Sequence, residues 1–438
     1  MSEQNWAGNY TYRAADWRRP TSVDELQAAV GAADRIGVIG SRHSFNGLGD
    51  ADTVIDLTAL PTWMHHVEGS DEVAVAAHMT YAEVAAALAP HGLALANLAS
   101  LPHISVAGAV ATGTHGSGSR NGNLSTAVRG LRVVRADGAL VGVAADDLAG
   151  SVVAMGLLGV VESVTLAVEP AYEVAQVVYD DLTWDTVTTS FETLFDSAYS
   201  VSVFSRYGER PEQVWLKFRA DDARLHDHRS GTALAGAARA TVELHPIRSM
   251  SAEATTAQLG QPGRWDERLP HFRAAFQPSA GEEIQTEFFV DLRDGAAALE
   301  ALRGIAPALD DVLLVSEIRT VAADALWMSP TYGRHSAAFH FTWRRDPPPS
   351  IGQSASSRMR LAPLRLGLTG ERSSIHRRSM WRRPMSEPAT SVAGGRRSIR
   401  KVASPMRGRR PRWAGDPRRS VVNRVAERRR RRPSARRW

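Results

Sequence analysis

After Trp343 the chain changes character, and that break decides how much of it can fold around a core. Residues 344–438 carry 27 arginines and one lysine against five acidic residues, a net charge of +23, and end in RRRRRPSARRW. The whole chain carries +5, so residues 1–343 carry −18. A segment this basic, broken by PPPS and scattered glycines, buries too little apolar surface to offset chain entropy and self-repulsion. It reads as an Arg-rich, disordered tail. Its arginine runs could contact nucleic acid or an anionic membrane, but they specify no particular partner of either kind.

The residues before the break suffice for two domains with separate cores. No apolar run reaches the roughly 20 residues of a membrane span, and MSEQNWAGNY is not a basic-then-apolar leader. A soluble, cytoplasmic monomer is expected. The chain has no cysteine, which removes disulfides, iron–sulfur ligation and thiol nucleophiles together. Chemistry must then come from a bound cofactor or from His, Glu, Asp, Arg and hydroxyl groups.

The periodicity predicts an α+β fold rather than regular βα alternation. A capped helix is expected within 20–32, strands at IGVIG (36–40), TVIDL (53–57) and DEVAVAA (71–77), and a helix over 81–92 stopped by Pro90 and Gly92. Asp137-Gly138 marks a hairpin, and VESVTLAVEP (161–170) is a further strand. Beyond it, VAQVVYDDL, VSVFSRY, QVWLKFRA, TVELHPI, IQTEFFVDL, DVLLVSEIRTV and SAAFHFTW read as strands, with helices inside 183–198 and 292–305. The expected domains are 8–170 and 171–343, followed by the tail 344–438.

Two segments carry the chemical signal. GSRHSFNGLGD (40–50) leaves an apolar strand and sets His43 among small and polar residues, and SLPHISVAGAVATGTHGSG (100–118) is a second run of glycines and hydroxyls. Glycines let backbone approach a ligand, and amides and hydroxyls can satisfy phosphate oxygens without lysine. Gly40, Ser41, Arg42, His43 and Ser44 have that composition, as do Ser105, Gly108, Thr112, Gly113, Thr114, His115 and Gly116. Neither segment is GxGxxG opening a βαβ unit or a GxxxxGK[ST] loop. Two glycine turns without a ligand are the alternative. His43, His103 and His115 lack the short spacing of common zinc motifs, so no metal is expected, and His65 and His66 read as surface or packing residues.

The two segments resemble the two-part flavin site of the vanillyl-alcohol oxidase type, and residues 5–343 are similar to bacterial alditol (xylitol, sorbitol) oxidases, relatives of D-arabinono-1,4-lactone oxidases. The resemblance implies a two-part FAD-binding domain followed by a mixed-sheet substrate domain. It implies FAD as cofactor, covalently attached through His43, with PHISVAGAVATGTHGSG around the pyrophosphate and flavin edge. GLLGVVES (156–163) resembles the strand whose Gly159, Val160 and Val161 backbone meets the cofactor.

In SEIRT (316–320), period-two alternation puts Glu317 and Arg319 on one face, where a surface ion pair is the alternative. The resemblance implies that Glu317 accepts hydrogen bonds from polyol hydroxyls and Arg319 stabilises negative charge developing on the substrate oxygen or the flavin. It adds Thr342 as a hydroxyl contact, His340 as an acid/base group and Ser100 beside substrate and flavin. The implied reaction turns the terminal CH–OH of a small polyol into an aldose, with molecular oxygen reduced to hydrogen peroxide.

The resemblance stops after HFTW (340–343). Relatives continue into an HWGK-like motif, whose lysine reaches the substrate, and a DPxGKFxN-like closing segment; neither occurs here, and Lys401 stands in the unrelated context SIRKVAS. Two origins fit the break: translation of a GC-rich gene in a shifted frame, or an appended tail. Two other functions stay open, a sugar-1,4-lactone oxidase or dehydrogenase, and an inactive FAD-binding remnant with a basic interaction tail.

Overall fold

The computed structural model describes residues 3–66, 68–230, 234, 236–276 and 283–345. The expected disordered tail lies outside the described residues except at its start. There Arg344 ends a strand, and the Arg345 guanidinium donates to the carbonyls of Ala7 and Gly8 at 3.0 Å each.

The first helix spans Val23–Gly31, with Ser22 Oγ accepting from the Glu25 amide, and it buries Leu26 and Val30. The second, Tyr81–Leu88, opens on a reciprocal capping box between Thr80 and Glu83. It passes into a 3₁₀ turn and stops at Gly92, which adopts φ +64°. Three short parallel strands order as Asp16–Arg18, Thr53–Asp56 and Ile36–Ile39. A five-stranded antiparallel sheet follows, ordered Met64–His66, Glu72–Ala76, Val160–Ala167, Val128–Val134, Leu140–Gly142. The Asp137-Gly138 hairpin joins its last two strands, with Gly138 at φ +77°. The second glycine segment contains an element the sequence reading did not anticipate, a helix over Val106–Ala111 that buries Val106, Ala109 and Val110.

The second half forms an eight-stranded sheet. From Glu173–Asp180, which also pairs with the two-residue strands Ala238–Arg239 and Gly263–Arg264, it runs through Gln213–Arg219, Ser200–Ser205, Leu313–Val321 and Ser336–Arg344 to Glu283–Asp291. These pairs are antiparallel, and a parallel bridge joins Gly118 to Val321. One face is dry: Trp184, Phe191, Phe195 and Leu299 of the covering helices bury against Val203, Phe339, Phe341 and Trp343. Each such side chain contributes roughly 2–3 kcal/mol by leaving water. The other face carries polar side chains and fronts the cleft described below.

TVELHPI (241–247) is not a strand. Its polar groups are taken by side chains instead of a neighbouring ladder: Gln258 accepts from the Leu244 amide and donates to the Leu244 carbonyl, and Gln213 donates to the His245 carbonyl. The segment crosses the edge of the cleft, where His245, Pro246 and Ile247 line it.

Candidate active site

A cleft of about 1310 Å³ receives both glycine-rich segments and the polar face of the large sheet. The segments are tied by a reciprocal pair: Ser105 Oγ accepts from the Ser41 amide at 3.4 Å, and Ser41 Oγ accepts from the Ser105 amide at 3.1 Å. The approach is so close that a Cβ at Gly40 would lie 2.0 Å from Ser105 Oγ. Gly159, at φ +130°, is required for a different reason, since a Cβ there would lie 2.4 Å from the Val134 carbonyl oxygen.

His43 sits in this wall with its ring stacked on Trp6, centroids 5.0 Å apart and planes 21° apart. Both ring nitrogens are buried, and neither has a hydrogen-bond partner among the described residues. Burial, with a smaller contribution from His103 and against an opposing backbone interaction with Ser41, pushes its pKa down to about 4, so the imidazole is neutral at physiological pH. An unpartnered buried polar group of this kind is uncommon and fits a position reserved for a ligand.

Register builds the opposite wall. Three neighbouring strands bring Glu287, His340 and Glu317 into one rung, with Gln285, Thr342 and Val315 in a second rung and Phe289, Ala338 and Arg319 in a third. Because side chains alternate, all three rungs present the same face. Arg319 Nη2 donates to Glu287 Oε1 at 2.6 Å and Nη1 to Ser100 Oγ at 3.3 Å, while its Nε lies 3.6 Å from Glu317 Oε1. His115 Nε2 stands 3.0 Å from Glu287 Oε2, and its Nδ1 faces the Gly116 carbonyl. His340 Nδ1 lies 3.8 Å from Glu287 Oε1.

Burial opposes ionisation of both glutamates, but the Arg319 charge and the hydrogen bonds from the neighbouring imidazoles prevail. Arg319 and His271 hold Glu317 well below the usual carboxylate range, and His115 and Arg319 do the same for Glu287. Burial lowers the pKa of His340. The surface-pair alternative for Glu317 and Arg319 is therefore excluded, since both are only 6% exposed.

The expected site residues meet in this one cleft with two qualifications. Gly40, Ser41, His43, Ser44, Ser100, Ser105, Gly108, Thr112, Gly113, Thr114, His115, Gly159 and Val161 line it beside Glu317, Arg319, His340 and Thr342. Arg42 lines it at φ +60°, but its guanidinium is engaged by Glu3 at 2.5 Å and Asp56 at 3.4 Å. Val160 packs with Leu26 and Ile55 in a core. Sequence reasoning missed Glu287, Gln285, His271, Lys217 and Trp6. The first two lay in a strand already anticipated, yet nothing local said which residue would stand opposite His340.

The glycine cradle, the orphaned imidazole and the long cleft fit a dinucleotide-sized flavin. A family model described as an FAD binding domain matches residues 17–144. The fold is also that of a crystal structure of cholesterol oxidase from B. sterolicum, with TM-score 0.61 at 14% identity over 83% of each chain. Fold and site thus define an FAD-binding oxidoreductase. An alditol oxidase from Streptomyces sp. (strain IKD472 / FERM P-14339) is 44% identical over 349 residues, 78% of this chain and 82% of that protein. The chain belongs to the alditol oxidase family. More distant relatives include the D-arabinono-1,4-lactone oxidase of Yarrowia lipolytica, 30% identical over 48% of this chain and 42% of that one. The L-gulono-1,4-lactone dehydrogenase of Mycobacterium tuberculosis H37Rv is 33% identical over 38% and 41%.

Among the described residues no helix is long and apolar enough to cross a membrane.

Proposed function

We propose that the protein oxidises the terminal CH–OH of an alditol to an aldehyde, passing the two electrons to oxygen to give hydrogen peroxide. The carrying observation is the meeting, in one cleft, of an unpartnered neutral imidazole at His43 and a polar cluster of buried Glu317 and Arg319 with half-buried Glu287 and Ser100. The 44% identity to an alditol oxidase favours a polyol over a lactone. Residues 8–170 are read as the FAD-binding part and 171–343 as the substrate part.

FAD, when bound, supplies the hydride acceptor and the route to oxygen. His43 would hold it covalently through a ring nitrogen, a role suited to a buried, neutral imidazole whose ring nitrogens have no side-chain partner among the described residues. Ser41, Ser105, Thr112, Thr114 and the glycine backbones offer donors for its phosphates. Glu317 accepts from substrate hydroxyls, Thr342 and Ser100 orient them, and Arg319 stabilises charge on the oxygen as its proton leaves. His340 is the candidate group for moving that proton. A cavity lined by so many fixed polar groups selects against analogues that leave them unmatched.

The test is anaerobic mixing of purified flavoprotein with xylitol, sorbitol and L-gulono-1,4-lactone. Bleaching of the flavin by the polyols, with peroxide formed on admitting oxygen, supports the reading. Reduction by the lactone alone would move the assignment to a lactone oxidase. Bound flavin that no substrate bleaches would leave an FAD-binding remnant.

A further inference from the structure

Behind Glu317 the cleft wall continues into a fully buried polar chain that the proposed reaction does not use. Lys217 is 1% exposed and lies between Gln176 and Ser200 in the sheet register. Its Nζ meets three acceptors: the Leu269 carbonyl, the Pro270 carbonyl at 3.1 Å and His271 Nδ1 at 3.1 Å. An ammonium has three hydrogens and no lone pair, so this shell matches the charged form donor for acceptor. With Nδ1 accepting, the proton of a neutral His271 must sit on Nε2, which lies 2.7 Å from Glu317 Oε1. Among the described residues, Glu317 Oε2 has no hydrogen-bond donor, and it is the oxygen left for a ligand.

The ring itself is fixed. Phe204 and Trp215 pack edge-on against it at 5.5 and 5.2 Å. The His271 amide donates to the Ser100 carbonyl, and its own carbonyl accepts from the Thr256 amide.

We propose that Lys217 and His271 are positioning residues that act through Glu317: the ammonium selects the Nε2–H tautomer, which pins Oε1 and aims Oε2 at a substrate hydroxyl. The polyol as occupant rests on the function proposed above; the relay itself does not. At pH 6 Lys217 and Arg319 are cationic against ionised Glu317 and Glu287. Electrostatics agree, since burial, aided by Lys217, lowers His271 to about 4 and keeps the imidazole neutral. Burial lowers Lys217 to about 7, with Glu317 opposing and Arg319 assisting. His340 faces Glu317 and Glu287 from the adjoining strand, and His115 faces Glu287 from the glycine-rich segment.

The experiment uses the full-length flavoprotein labelled with 15N-histidine, its His271 signal assigned by loss in His271→Gln. At pH 6 we expect a neutral, Nε2-protonated His271 in the parent protein and loss of that single tautomer in Lys217→Met. In parallel, xylitol is mixed anaerobically with each flavoprotein, and its apparent Kd is read from the saturation of the flavin-reduction rate. Its Kd is expected to rise roughly tenfold in Lys217→Met and His271→Leu, about the worth of one charge-assisted hydrogen bond. FAD should be retained in both, and affinity should recover in His271→Gln, whose amide can donate in place of Nε2–H. An Nδ1-protonated or cationic His271 in the parent overturns the relay. So does a xylitol Kd within twofold of the parent in both variants. If Lys217→Met does not fold, the parent tautomer and the His271 pair decide the matter. Should xylitol leave the parent spectrum unchanged, the polyol reading fails, and the tautomer comparison still decides the relay.

Discussion

At the scale of single residues, the proposed function gives His43 and Glu317 separate tasks in the cleft. His43 is neutral, buried and without a hydrogen-bond partner among the described residues, so it is the candidate anchor for the cofactor. On acid precipitation the parent protein is expected to keep its flavin in the pellet and His43→Ala to release it into the supernatant; flavin that stays protein-bound in the variant would exclude this attachment. Glu317 is an anion held by Arg319 and His271. Glu317→Gln keeps the shape and loses the charge, and should lower kcat/KM for a polyol about 100-fold with FAD content unchanged. Stopped-flow flavin reduction separates that loss from a slower reaction with oxygen. Glu317 and Arg319 were visible as a pair because alternation alone puts i and i+2 on one face. Glu287 was not, because its place beside them depends on pairing between Glu283–Asp291 and Ser336–Arg344, which no local pattern encodes.

At the scale of elements, the site depends on how closely two loops approach. Gly40 and Ser105 are 65 residues apart, yet a Cβ on the first would occupy the hydroxyl position of the second. Gly40→Ala is expected to cost about 1–3 kcal/mol by overpacking, read as a lower urea midpoint and weaker FAD retention. Ser105→Gly in the same chain should recover much of it; no recovery would mean that the strain lies elsewhere. Strand and helix identities were largely legible, since periods of two and 3.6 survive in the amphipathic segments. TVELHPI shows the limit. Its apolar alternation resembles a strand, but the amides of Gln258 and Gln213 satisfy its backbone where a ladder would, and those partners come from distant parts of the chain.

At the scale of the whole molecule, burying neutral histidines and ionised glutamates together makes the fold acid-sensitive. His271, and His43 where no flavin is attached, have folded pKa values near 4 against 6.5 unperturbed. As pH falls from 6.5 to 4 the unfolded chain takes up these protons first. Stability should therefore fall by about 1.4 kcal/mol per pH unit for each group. Below 4.5 Glu287 and Glu317, both depressed, add to the loss in the same direction. Urea unfolding between pH 7 and 4 measures the slope, and His271→Gln should flatten it; an equal slope in that variant would assign the effect to other groups. The sequence by itself determined the α+β texture, the two glycine-rich segments with their histidine, and the charge break after Trp343, because composition and short-range periodicity are local properties. Only the tertiary structure decided that Lys217, His271, Glu317, Arg319, Glu287 and His115 form one polar chain across the cleft wall. Their contacts are set by strand register and by loops crossing the sheet, and the low dielectric that holds their charge states exists only once the chain has closed around them.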